Sequence, residues 1–213
     1  MGFGVLLDLD GTLLDTLEDL HRSTNYALRQ FGHPERTLEE VRRFVGNGAA
    51  QLFRLAVPEG ADPDPVLAAF RAHYQENCRV RTAPYPGIPE ALAVLQDQFP
   101  LAIVSNKPDS AVKALCDDYF PGIYALGESA QCPRKPAPDM VRKAMETIGV
   151  EDCVYVGDSE VDILTAKNAG VPCLSVLWGF RDREELLEAG GARFCEEVKD
   201  LPEKIREIVK EVF

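Results

Sequence analysis

The 213-residue chain has no apolar run long enough to cross a bilayer, and its N-terminus shows no charged, then apolar, then small-residue export pattern. Six cysteines (Cys78, Cys116, Cys132, Cys153, Cys173 and Cys195) are scattered without a single C-x-x-C pair. Thiolate metal-site spacing is therefore missing, and without an export signal a disulfide framework is not expected. Reduced thiols and a cytoplasmic location are the expectation. Cationic residues are also few: 23 Lys and Arg stand against 35 Asp and Glu, a formal net charge of -12. That balance argues against nucleic acid, whose phosphates need a cationic face, and against an anionic membrane surface. Internal repeats and low-complexity tracts are absent. What remains is an ordinary globular composition, 46% apolar and 27% charged. The length suits one domain with a sizeable core, or a core carrying a smaller inserted lobe.

The first strong feature is the apolar run Phe3-Gly4-Val5-Leu6-Leu7, followed at once by Asp8-Leu9-Asp10-Gly11-Thr12. The run reads as a strand buried on both faces. Two aspartates one residue apart start on the same side of the pleat. They would repel each other unless a proton or a hard cation such as Mg2+ sits between them. An acidic surface turn is the plain alternative, since Asp favours turns; on this stretch alone the two readings balance.

Residues 15–85 carry helical stripes and loops with no convincing strand. Leu17 to Phe31 is one stripe, Thr37-Leu38-Glu39-Glu40 opens another with a capping box, and Ala49–Val57 and Val66–Asn77 follow. Pro58 to Pro65 reads as a loop. From Tyr85 onward helix and strand alternate to the end, which predicts a parallel sheet with helices on both faces. The expected fold class is α/β, with a Rossmann-like doubly wound parallel sheet core and an inserted all-helical cap. The core is expected over residues 1–14 and 86–213, and the cap over residues 15–85.

Ligands of open parallel sheets bind beyond the carboxyl ends of the strands. After the first run come Asp8 and Asp10. After Leu101–Val104 come Ser105-Asn106-Lys107, and Lys135 lies in the loop beyond the short run Ile123–Leu126. After Cys153–Val156 comes Gly157-Asp158-Ser159-Glu160-Val161-Asp162. Phosphoryl transfer uses this set: a carboxylate to attack, a second to move a proton, a metal held by carboxylates, and a lysine and a hydroxyl to hold phosphate oxygens. Each residue alone has a commoner explanation. Ser105-Asn106 is an ordinary turn, Lys135 a solvated loop lysine, and Asp158 a helix cap. Their joint placement at strand ends favours a site.

Asp8-Leu9-Asp10-Gly11-Thr12-Leu13, Ser105, Lys135 within Lys-Pro-x-Pro, and Gly157-Asp158-x-x-x-Asp162 together resemble the four ordered motifs of the haloacid dehalogenase-like hydrolase superfamily. Gly46-Asn47-Gly48, Ser105-Asn106-Lys107-Pro108 and Trp178-Gly179-Phe180-Arg181 are similar to its phosphoglycolate phosphatase-type members with a helical cap. The resemblance implies a Mg2+-dependent phosphatase acting on a small phosphorylated metabolite. In it, Asp8 would be nucleophile and metal ligand, and Asp10 the acid/base, binding metal through its carbonyl. Thr12 would position Asp10 or the phosphate, and Ser105 with the Asn106 backbone would bind the phosphoryl group. Lys135 would neutralise charge, Asp158 would bind Mg2+, and Asp162 would support the metal without touching it. Gly46 and Asn47 would meet the substrate's non-reacting end. Monomer and homodimer both stay open.

Departures from relatives narrow the activity. Sugar-phosphate mutases of the superfamily carry a cap histidine where this chain has Leu20, and true dehalogenases lack the second aspartate. Phosphonate-cleaving relatives use a cap lysine, yet residues 15–85 contain none. Gly46-x-Gly48 lacks the preceding strand and third glycine of a dinucleotide site. His21, His33 and His73 are expected to be non-catalytic, and Trp178 with Phe180 to pack near the pocket rim.

Overall fold

Phe3–Leu7 (β1) forms because five successive apolar residues can all be buried in the interior of a parallel sheet, and every one of them is buried. The computed structural model describes residues 2–212. By its internal contacts the chain divides into two units, Met1–Leu14 with Pro84–Phe213, and Asp15–Ala83.

The first unit is the α/β one. After β1 its elements are α5 (Ile88–Gln96), β4 (Leu101–Pro108), α6 (Asp109–Tyr119), β5 (Tyr124–Glu128), α7 (Asp139–Ile148) and β6 (Asp152–Gly157). Then come α8 (Glu160–Ala169), β7 (Cys173–Val176), α9 (Arg183–Glu188), β8 (Phe194–Cys195) and α10 (Leu201–Val212). Six strands make one sheet in the order β5-β4-β1-β6-β7-β8, and all five pairings are parallel. The fold is thus Rossmann-like, a parallel sheet flanked by helices. Successive strands build outward from β1 in one direction (β4, β5) and then the other (β6, β7, β8), so the order reverses beside β1. Such a reversal opens a crevice at the carboxyl ends of the strands. Leu7 is level with Ile103 of β4 and Val156 of β6, so Asp8 emerges at that crevice. A dry layer of Leu6, Val104, Met140, Val141, Ala144 and Tyr155 lies beneath it.

The second unit holds α1 (Leu17–Gln30), α2 (Leu38–Phe44), α3 (Gly48–Ala56) and α4 (Pro63–Asn77). The capping box of α2 forms as its sequence predicts: Glu40 N–H donates to Thr37 Oγ1 at 3.2 Å, and Thr37 N–H to Glu40 Oε2 at 2.7 Å. Phe53, Phe70 and Tyr74 pack in series, Phe53 tilted against Phe70 and Phe70 stacked on Tyr74, with ring centroids 5.0 and 5.2 Å apart. Buried Asp19 of α1 accepts the Arg81 and Thr82 N–H groups at 2.8 and 2.9 Å, fixing the returning chain.

Two expectations need correction. α4 begins at Pro63 rather than Val66, because Asp62 caps it and proline is tolerated in a first helical turn. Residues 15–85 are also not free of strand: Leu14–Asp15 (β2) and Ala83–Pro84 (β3) form a two-stranded ribbon where the chain passes between the units. Two-residue strands are too short to produce a readable period. The six cysteines are free, five of them buried. Burial pushes the Cys116, Cys153, Cys173 and Cys195 thiols up to about 12, which leaves them protonated and unreactive.

Candidate active site

Four strand-end segments supply the site, all from the α/β unit. Asp8 continues the β1–β6 ladder by one bond, its N–H donating to the Val156 carbonyl at 2.8 Å. Its carboxylate then meets Lys135, with Oδ1 2.8 Å from Nζ. Lys135 also donates to Asp162 Oδ1 at 2.7 Å, so one ammonium bridges two buried carboxylates. The Lys135 side chain is 2% exposed, which makes the solvated-lysine explanation untenable.

The backbone around Lys135 is fixed as firmly as its ammonium. Asn106 Nδ2 donates to the Lys135 carbonyl at 3.1 Å, and Lys135 N–H donates to Asn106 Oδ1 at 2.7 Å. The Asn106 amide thereby makes a two-bond, strand-like pair with the opposite loop. The Lys135–Pro136 peptide is cis. The Tyr155 ring lies 5.6 Å from Lys135 Nζ and supports the cation from below.

Asp158 is not the cap of α8; that role belongs to Ser159, with Asp162 as its partner three residues on. Asp162 Oδ2 accepts the Ser159 N–H at 3.1 Å and its hydroxyl at 2.7 Å. Asp162 therefore spends one oxygen on the helix start and the other on Lys135. Asp158 is free to face the crevice, and both its oxygens are oriented: Thr12 Oγ1 donates to Oδ1 at 3.1 Å, and the Phe180 N–H to Oδ2 at 2.7 Å. Gly11 turns the chain between Asp10 and Thr12 at φ +81°, and a Cβ there would fall 2.3 Å from Asp158 Oδ2. The turn thus needs glycine both for its backbone and for the space beside that carboxylate. Carboxylate oxygens of Asp8, Asp158 and Asp162 lie within 4.8 Å of one another.

Asp10 is placed differently. Its carboxylate turns to Lys107, with Oδ1 2.5 Å from Nζ, and Ser105 Oγ stands 3.5 Å from Oδ2. Ser105 Oγ in turn accepts the Lys107 N–H at 3.2 Å. Of the residues singled out in the sequence, Asp8, Lys135, Asp158 and Asp162 form one cluster, with Asp10 and Ser105 paired beside it. Thr12 holds Asp158 rather than Asp10. Asn106 points its side chain at the Lys135 backbone. Gly46 and Asn47 belong to the other unit, in the turn between α2 and α3, with Gly46 at φ +124°. The sequence places Lys107 at the same strand end without giving it a role, and it gives no sign of the Phe180 N–H. Lys107 carried a signal, since it lies two residues from Ser105 at a strand end and so on the same side of the pleat.

The electrostatics are those of a cluster short of positive charge. Burial, with repulsion from Asp162 and Asp158, holds the Asp8 carboxyl well above its ordinary range despite Lys135. Burial and Asp162 raise Asp158 from 3.8 to about 7. Burial by itself would lower Lys135, yet Asp162 and Asp8 carry it well above its usual value, so it stays charged. Three buried carboxylates with one ammonium leave an excess of negative charge that a proton or a cation must meet. The oxygen donors of Asp8, Asp158 and Asp162 are hard, and such donors suit Mg2+ better than a softer metal.

The crevice at the strand reversal, lined by paired carboxylates and a buried lysine, defines an α/β enzyme with a charge-organised site. The haloacid dehalogenase-like hydrolase family model matches residues 5–176, and the chain belongs to that family. Phosphoglycolate phosphatases are among the proteins it is similar to. Phosphoglycolate phosphatase 1 of Pseudomonas aeruginosa is 32% identical, aligned over 92% of this chain and 77% of its own. Phosphoglycolate phosphatase of Rhodobacter capsulatus is 36% identical, over 85% and 87%. A crystal structure from Lactobacillus delbrueckii subsp. bulgaricus, of a protein provisionally named a phosphoglycolate phosphatase, superposes with a TM-score of 0.90 at 36% identity. It covers 95% of this chain and 97% of that one.

Proposed function

We propose that this chain is a Mg2+-dependent phosphatase that hydrolyses a small phosphomonoester through a phosphoaspartate on Asp8. The observation that carries the reading is the buried Asp8–Lys135–Asp162 bridge with Asp158 beside it, at the carboxyl end of the central strand. Asp8 and Asp158, with the Asp10 carbonyl, would hold Mg2+, which supplies charge neutralisation for the incoming phosphate dianion.

The chain's own residues then divide the chemistry. An Asp8 carboxylate oxygen attacks phosphorus, and the bond from phosphorus to the substrate's ester oxygen breaks. Asp10 gives that oxygen its proton, which requires its carboxyl to leave Lys107 for the leaving group. In the second half Asp10 takes a proton from water as the water oxygen attacks phosphorus, and Asp8 is released. Lys135 neutralises Asp8 and the phosphoryl oxygens throughout, and Ser105 with the backbone N–H groups beside it holds those oxygens. The Asp15–Ala83 unit would act as the cap, with Gly46 and Asn47 meeting the rest of the substrate. On the names of its relatives, 2-phosphoglycolate leads among substrates.

The test is a phosphate-release panel of 2-phosphoglycolate, pyrophosphate, nucleoside monophosphates and sugar phosphates, with and without Mg2+, for the parent and Asp8→Asn. Mg2+-dependent release, absent from Asp8→Asn, is expected. An Asp8→Asn protein as active as the parent would refute the assignment.

A further inference from the structure

One segment of the α/β unit has no part in the steps above yet is bonded to the groups around Asp158. Residues 177–182 join β7 to α9, and four consecutive residues in them bond to or pass against Thr12, Asp158 and Glu160. Trp178 Nε1 donates to the Thr12 carbonyl at 3.0 Å, so this indole is bonded to the acidic turn as well as packed. Gly179 passes so close that a Cβ would lie 2.3 Å from Asp158 Cβ and 2.5 Å from the Gly11 carbonyl oxygen. The Phe180 N–H donates to Asp158 Oδ2 at 2.7 Å. Arg181 is buried and donates twice to Glu160, Nε to Oε2 at 2.8 Å and Nη2 to Oε1 at 3.3 Å. Glu160 opens α8 and lies two residues beyond Asp158.

We propose that Trp178-Gly179-Phe180-Arg181 is a positioning clamp for Asp158, setting how tightly the site holds its divalent cation, with Arg181 as its latch. The inference rests on reading Asp158 as the metal carboxylate, and it deepens that reading. An ionised carboxylate offers about four lone-pair sites. The clamp and Thr12 occupy one on each oxygen, which stops rotation about χ2 while leaving acceptor capacity toward the crevice. Both ends of the clamp are tied: Trp178 to the turn that carries Thr12, and Arg181 to the helix that follows Asp158. A fork-to-carboxylate pair sets direction as well as attraction. Releasing Arg181 should therefore let the Phe180 N–H drift from Asp158. Partners of metal-binding carboxylates typically change metal affinity 10- to 100-fold when removed.

The experiment titrates Mn2+ directly into full-length protein by calorimetry, for the parent, Arg181→Met, Arg181→Lys, Trp178→Phe and Asp158→Asn, with circular dichroism as the check on folding. Arg181→Met should weaken Mn2+ roughly tenfold or more, raise the Mg2+ concentration for half-maximal activity in step, and leave kcat at saturating Mg2+ within about threefold. Arg181→Lys should recover only part, since an ammonium keeps the charge without the fork. Should Arg181→Met not fold, Trp178→Phe removes the indole donor and keeps an aromatic ring; it should weaken Mn2+ severalfold. A folded Arg181→Met or Trp178→Phe with the parent's Mn2+ affinity would overturn the clamp. If Asp158→Asn also binds Mn2+ like the parent, the metal reading itself fails and the clamp falls with it.

Discussion

Protons and magnesium should compete for the same cluster, and the competition should be visible in stability. The perturbation is metal removal combined with a change of pH from 5.5 to 7.5. Burial and Asp162 raise Asp158 from 3.8 to about 7, so the folded chain binds this proton more tightly than the unfolded one. For a group raised in this way, stability is fully present below the unfolded value near 4 and is lost as pH climbs through the folded value near 7. The upper part of that window lies between pH 5.5 and 7.5, and Asp158 alone should remove about 2 kcal/mol across it. Asp8 is raised in the same direction and adds to the loss. Lys135, raised above an already high value, stays charged throughout and contributes nothing to the slope. For a chain of this size about 2 kcal/mol corresponds to roughly 4–8 °C in Tm. Differential scanning calorimetry in EDTA should show that fall toward pH 7.5, and millimolar Mg2+ should recover it at pH 7.5 while doing little at pH 5.5. Asp158→Asn should flatten both effects. A metal-free Tm that is level or rising over this range, with Asp158→Asn tracking the parent, would refute the charge-excess account.

Other outcomes follow from the same geometry. Lys135→Ala removes the one ammonium between Asp8 and Asp162; urea unfolding of the metal-free protein at pH 7.5 should show a loss of about 3 kcal/mol, smaller at pH 5.5 where the carboxyls can protonate instead. Asp10→Asn removes the proposed proton carrier, and kcat/KM for phosphate release should drop by about 100- to 10,000-fold. Gly157→Ala would set a methyl 2.3 Å from Asp162 Cγ; chemical denaturation should record a loss of roughly 1–3 kcal/mol, accompanied by lower activity.

The α/β core was legible because its strands are buried on both faces and announce themselves as unbroken apolar runs. Phe3–Leu7, Leu101–Val104 and Cys153–Val156 each end in the polar residues that the crevice collects. Knowing that ligands gather at strand ends was enough to bring Asp8, Lys135, Asp158 and Asp162 into one group before any geometry was available. What stayed hidden were partnerships set by side-chain direction. Thr12 looked like a partner for Asp10 or phosphate, and only the turn at Gly11 aims it at Asp158. The Asn106 side chain had no partner assigned from sequence, and its amide is committed to the Lys135 backbone. Lys107 stood in the same strand-end run with no role assigned to it, and its 2.5 Å approach to Asp10 is what gives it a partner. The two-residue ribbon of Leu14–Asp15 and Ala83–Pro84 could not be seen, since so short a pairing leaves no pattern.

The Asn106 amide has a consequence for anyone altering this protein. By mimicking a peptide group, it ties the hydroxyl-bearing end of β4 to the lysine-bearing loop. Exchanges at Asn106 should then be epistatic with exchanges at Lys135, and an engineer who swaps either segment alone would inherit a mismatched joint.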